Sequence, residues 1–261
     1  MYSLFAFIGT VSGVAALYAS LYANKVKYSK GAIILVIYAV TFGCVCGAWL
    51  MDNVAHFIAG EPFGYGGISA NGGIIGALVT CYFSCVIIFG NKNSARFFMN
   101  EVIPSVTLTH AFGRVGCYFG GCCYGVPSRF GIGVTYPEGS RTVRDYGLGT
   151  KLVPTQFIES AYLFALTAIF VLVVKKNRVA VYLYAYGIYR FIAEFWRGDN
   201  RGSILPFISP SQFTAILFVV FATVLLTIRK IKGDQGIIVP QYLPNAVKEK
   251  RKKKRLGEID E

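Results

Sequence analysis

An all-α, polytopic membrane protein of about seven transmembrane helices is the fold class that this sequence predicts, and three observations predict it. Apolar residues fill 54% of the 261 positions and charged residues only 15%, too little polar matter to clothe a soluble domain. Apolar runs recur at the length a helix needs to cross the hydrocarbon core. The basic residues gather in alternate connections, as the positive-inside rule requires. Seven spans of roughly 20 residues use more than half of the chain, so a single membrane domain over 1–232 and a basic cytoplasmic tail over 233–261 are expected, with no second globular domain.

The expected spans, in order, lie near 3–23, 31–51, 72–90, 97–119, 154–174, 179–196 and 209–228. The first has no basic residue before it and no small-residue cleavage site, so it reads as a retained span and not as a signal peptide. The fourth is the most polar, since it carries Glu101, Pro104, His110 and Arg114. Of the 26 basic residues, 18 fall on one side: Lys25, Lys27 and Lys30, then Lys92 and Arg96, then Lys175, Lys176 and Arg178, and ten after the last span. That side is read as cytoplasmic, which puts the N-terminus outside and the C-terminus inside. The remaining basic residues, Arg114, Arg129, Arg141, Arg144, Lys151, Arg190, Arg197 and Arg201, lie toward the opposite face.

The net charge of +13 therefore points to anionic membrane lipids and not to nucleic acid, because the tail run KEKRKKKR at 248–255 follows a cytoplasmic helix end. The longest outer connection, Gly125 to Val153, holds the Gly131–Gly133 turn signal and Pro137 and is expected to be an ordered loop with short strands. His56 is expected to be interfacial. Cys44, Cys46, Cys81 and Cys85 lie in apolar runs, where cysteine packs as a small hydrophobe.

Two segments carry chemistry. YGIYRFIAEFWRGD places Arg190, Glu194 and Arg197 at i, i+4 and i+7, on one face of a continued helix. Charges inside a span are costly and mark a functional pathway or ligand, or else an ion pair that locks helices. The second segment, THAFGRVGCYFGGCCYG, sets Arg114 one turn after His110 among Gly113, Gly116, Gly120, Gly121 and Gly125. Three arginines against Glu194 make a net positive site, and guanidinium forks match phosphate oxygens. A phospholipid headgroup fits. Tyr186 and its aromatic neighbours stand at the same level. The C-x4-C-C spacing of Cys117, Cys122 and Cys123 differs from the C-x2-C pattern of zinc sites, so packing thiols or an outer-face disulfide are expected, and no metal.

These residues resemble the prolipoprotein diacylglyceryl transferases, which move the diacylglyceryl group of phosphatidylglycerol to a lipobox cysteine thiol. The resemblance rests on GGISANGGIIG at 66–76, GRVGCYF at 113–119, PTQFIES at 154–160 and YGIYRFIAEFWRGD at 186–199, and it covers most of the chain. It implies a multi-pass enzyme of the bacterial plasma membrane, without cofactor, acting on phosphatidylglycerol and the signal peptide of a prolipoprotein. It also implies that Arg114 binds phosphatidylglycerol, that Arg190, Glu194 and Arg197 form the charged helix, and that Asn71, Gly113, Gly125 and Tyr186 line the substrate site. The family pattern has His where Asn71 stands, and Asn and Glu where Cys117 and Cys122 stand. His110 is then the expected replacement base, its alternative being a histidine hydrogen-bonded between helices. A divergent transferase with another acceptor, or a transport or lipid-binding protein in which Arg190 and Glu194 line a passage, are the competing readings.

Overall fold

The structure is a computed structural model that describes residues 1–261 except 59, 61, 65–66, 68, 130–132, 200–207, 232–238 and 256–261. Gly131, Arg201, parts of the 66–76 motif and the expected domain boundary at 232 lie outside the described residues. The architecture is all-α, as expected. Helices α1 (Tyr2–Ala23), α2 (Lys30–Ile58), α3 (Ala70–Phe89), α6 (Thr155–Leu172) and α8 (Pro210–Ile231) are long and apolar enough to cross a membrane. Two further helices occupy the remaining expected spans. Helix α4 (Lys92–Phe119) runs unbroken through Pro104 and carries Glu101 and Arg114, and α7 (Arg178–Ala193) has 16 residues, about 24 Å of rise against a hydrocarbon core of about 30 Å.

Packing divides the chain into two compact units, one of Met1–Ala19 and Val102–Lys230, the other of Ser20–Glu101 and Ile231–Glu261. In the second, α2 lies along α3. A Cβ on Gly47 would stand 2.5 Å from the Gly72 carbonyl oxygen, and one on Gly76 would stand 2.1 Å from that of Gly43. Both helices thus present glycine at a four-residue interval, the small-x-x-x-small pattern that brings membrane helices to backbone contact. Tyr242–Leu243 of the tail pairs in parallel with Lys27–Tyr28, and α9 (Ala246–Arg255) follows it. Part of the basic tail is thereby folded against its own unit.

The first unit holds α6, α7, α8 and the C-terminal part of α4. Polar side chains tie these helices where apolar contact alone would leave backbone carbonyls unengaged. The Ser160 hydroxyl donates to the Ala111 carbonyl (2.9 Å), Thr167 to the Thr107 hydroxyl (2.8 Å) and Tyr162 to the Ala185 carbonyl (2.7 Å). Large apolar side chains are exposed instead, among them Phe7, Val220 and Phe221, as a lipid solvent allows. Among its described residues, the connection between α4 and α6 carries the short helix α5 (Arg141–Tyr146), capped by Ser140, bridges that join Pro127 and Val134 to Leu152, and a small core of Tyr124, Tyr136 and Leu152. Among the described residues of this connection, the expected short strands are reduced to single bridges.

Candidate active site

Helix α4 presents His110 and Arg114 one turn apart on the same face, and α6 presents Glu159 to both. Arg114 Nε lies 2.8 Å from Glu159 Oε1, and His110 Nε2 lies 3.7 Å from the same oxygen. The Tyr186 hydroxyl on α7 donates to Glu159 Oε1 at 2.9 Å, and its ring meets His110 edge-on with centroids 5.2 Å apart. One carboxylate therefore collects a guanidinium, an imidazole and a phenol from two neighbouring helices. Its PTQFIES segment was legible as a motif, yet Glu159 itself was not singled out. A lone acid entering an apolar run was the signal available.

The Arg190 group does not form as the i, i+4, i+7 spacing suggested. Helix α7 gives way to a 3-10 turn over Glu194–Trp196, and Arg197 is extended, with φ −77° and ψ 138°. Arg190 Nη2 still meets Glu194 Oε2 at 2.7 Å, and it donates to the Ser211 hydroxyl of α8 at 2.7 Å. Arg197 instead grips Asp199 with two parallel hydrogen bonds of 2.8 and 2.7 Å. The expected net positive site is thus a balanced one among the described residues: Glu159, Glu194 and Asp199 match Arg114, Arg190 and Arg197. Desolvating a charge demands such a partner; Asp199 closes the YGIYRFIAEFWRGD motif with no role assigned to it by spacing, and Ser211 carried no sequence signal. The groups share one neighbourhood, since Glu159 lies within electrostatic range of Arg114, His110, Arg190 and Arg197.

Pairing leaves some donors unspent. Arg190 Nη1 and both ring nitrogens of His110 are buried without a hydrogen bond, a condition that costs roughly 1–3 kcal/mol per group unless a ligand satisfies it. The cationic Arg190 donor suits an anion. Of the other expected site residues, Gly113 faces open space, with nothing within 4 Å of a Cβ built there. Gly125 is crowded: its amide donates to the Val153 carbonyl, and a Cβ would stand 2.6 Å from that oxygen and 2.8 Å from that of Trp196. Gly125 is therefore required by the close approach of three chain segments. Asn71 is buried at the start of α3, in the other unit. The sulphurs of Cys117, Cys122 and Cys123 lie within 4.8 Å of one another, and Gln156 and Thr155 donate to the carbonyls of Cys122 and Cys123 at 2.8 Å.

The fold and the site define a polytopic helical membrane protein with a charge-paired arginine centre buried among its helices. The family model for prolipoprotein diacylglyceryl transferase matches residues 1–228, and the chain belongs to that family. It is 35% identical over 148 residues to phosphatidylglycerol–prolipoprotein diacylglyceryl transferase 2 of Clostridium perfringens, covering 55% of this chain and 56% of that protein. It is 34% identical over 168 residues to the phosphatidylglycerol–prolipoprotein diacylglyceryl transferase of Clostridium tetani, covering 62% and 64%. A transferase of the same name from Campylobacter jejuni subsp. doylei is 28% identical over 200 residues, covering 74% and 68%. The matched stretch thus spans between about half and two thirds of the two clostridial relatives.

Proposed function

We propose that this protein transfers the diacylglyceryl group of phosphatidylglycerol to the lipobox cysteine thiol of an exported prolipoprotein, releasing glycerol phosphate. The observation that carries this reading is the buried Arg114–Glu159–His110–Tyr186 cluster, with Arg190 and its unpaired Nη1 in electrostatic range, in a chain of the family. The relatives' names supply the substrates, and the buried donors supply chemistry that suits them. In the reaction the thiol loses its proton, its sulphur bonds to the terminal glyceryl carbon, and the carbon–oxygen bond to the phosphate breaks. Arg114 and Arg190 hold the phosphate as negative charge grows on the leaving oxygen. Glu159 and Glu194 orient those guanidinium groups and offset their mutual repulsion. His110 accepts the thiol proton.

The reaction is set at the outer half of a bacterial plasma membrane, with seven spans, the N-terminus outside and the tail against anionic lipid on the cytoplasmic side. Proteoliposomes containing phosphatidylglycerol and a lipobox peptide test the reading: a thioether-linked diacylglyceryl peptide and free glycerol phosphate are expected in equal amounts. Absence of both products from correctly inserted protein overturns it. Asn71, Cys117 and Cys122 favour one second reading, a divergent transferase with another thiol acceptor. Turnover of phosphatidylglycerol with a simple thiol but not with the peptide distinguishes that case.

A further inference from the structure

Three thiols stand together at the C-terminal end of α4, and no step above uses them. Cys117, Cys122 and Cys123 are partly buried, with their sulphurs all within 4.8 Å. Their spacing in sequence lacks the C-x2-C knuckle of common zinc sites, and the helix end supplies the proximity instead. Cys122 N–H donates to the Cys117 carbonyl (3.2 Å) and Gly121 N–H to that of Tyr118 (3.0 Å), which is the paired closure of a Schellman motif. This closure turns the chain back so that Cys122 stands over Cys117. Cys123 then adopts a left-handed φ of 63°, while Thr155 and Gln156 hold the carbonyls of the CC pair from α6.

We propose that Cys117, Cys122 and Cys123 bind one Zn²⁺ ion as thiolates. Zinc–sulphur bonds of about 2.3 Å in a tetrahedron put ligand sulphurs about 3.8 Å apart, so the cluster closes on the ion through shifts of about 1 Å or less. On binding, three Zn–S bonds form and three thiol protons pass to solvent. Arg114 and Arg197 lie within electrostatic range of Cys123 and favour the resulting anionic centre. Three protein sulphurs leave a tetrahedral ion one open position, which suits an exogenous thiol. On the transferase reading, on which this last step rests, that thiol belongs to the acceptor, and coordination would lower its pKa and so ease the passage of its proton to His110.

The full chain, purified in detergent, is loaded with Zn²⁺, dialysed against a chelator and measured for bound metal. One zinc per chain is expected in the wild type. It should be lost in Cys117→Ser and in Cys122→Ser but retained in Cys46→Ser, which alters an exposed cysteine of α2. Co²⁺ in place of Zn²⁺ should give sulphur-to-metal charge-transfer absorption and tetrahedral d–d bands, and 2-mercaptoethanol should shift those bands. Wild-type zinc no higher than in a Cys117→Ser/Cys122→Ser double variant overturns the site, as does equal loss in Cys46→Ser. Far-ultraviolet circular dichroism of each serine variant must match the wild type for its loss to count, and the cobalt spectrum tests the site without any variant. None of these readouts uses phosphatidylglycerol. Zinc bound by a protein without transfer activity overturns the transferase reading alone, and an active protein without zinc overturns the metal site alone.

Discussion

Arg114 of α4 and Glu159 of α6 meet at 2.8 Å between Nε and Oε1 with both side chains almost wholly buried. Neither charge is tolerable there alone. The pair is also the point at which His110 and Tyr186 join, so it couples the stability of three helices to the position of one guanidinium.

Arg114→Ala is expected to abolish transfer from phosphatidylglycerol, and Arg114→Lys to restore little, because an ammonium cannot present the planar fork. Glu159→Gln should lower both rate and melting temperature, since removing one partner of a buried pair costs about 3–5 kcal/mol. Turnover in proteoliposomes and thermal melts in detergent check this. A Glu159→Gln protein with wild-type rate and melt would detach Glu159 from the site.

Glu194 sits at the turn where α7 ends and faces Arg190, which Ser211 holds from the other side. Glu194→Gln is expected to cut the rate strongly, and Ser211→Ala to cut it less, because Ser211 offers a neutral contact worth about 1 kcal/mol. Initial rates normalised to folded protein decide it. Equal rates in Glu194→Gln and wild type would leave Arg190 positioned by Ser211 alone.

His110→Asn should slow transfer by about 100- to 10,000-fold, the usual contribution of a general base. A base works only when unprotonated, so the wild-type rate should fall as the pH is lowered, and the variant should lose that dependence. Should zinc at the cysteine cluster deprotonate the thiol instead, His110→Asn would keep most of its rate while Cys122→Ser would not.

Gly121 has φ +61°, and a Cβ there would stand 2.8 Å from that of Ser140. Gly121→Ala is expected to destabilise the first unit by at least about 1–2 kcal/mol from the left-handed conformation alone. It should also loosen the cysteine cluster, since Gly121 is the hinge of the turn that places Cys122. A melt no lower than that of the wild type would show that the turn has another geometry.

All seven expected apolar runs fall on helices, and for the five that are long and apolar enough to cross a membrane the reason is that such a run in lipid has few other ways to satisfy its backbone. The motifs around Arg114, Arg190 and Tyr186 were legible for a related reason. A charged residue inside an apolar run is a local anomaly, and it needs no tertiary knowledge to be seen. Glu159 was as visible in principle, but its importance depends on which arginine it faces, and sequence distance says nothing of that.

Composition and periodicity thus determined the solvent, the helices and which of them carry charge, since these are properties of segments read one at a time. Tertiary structure alone decided the partners. The end of α7 at Glu194 took Arg197 off the helical face and gave it to Asp199, and the reversal after α4 gathered three cysteines whose spacing had spoken against a metal. Both outcomes turn on a change of backbone direction within four residues, where helical periodicity no longer relates sequence position to position in space.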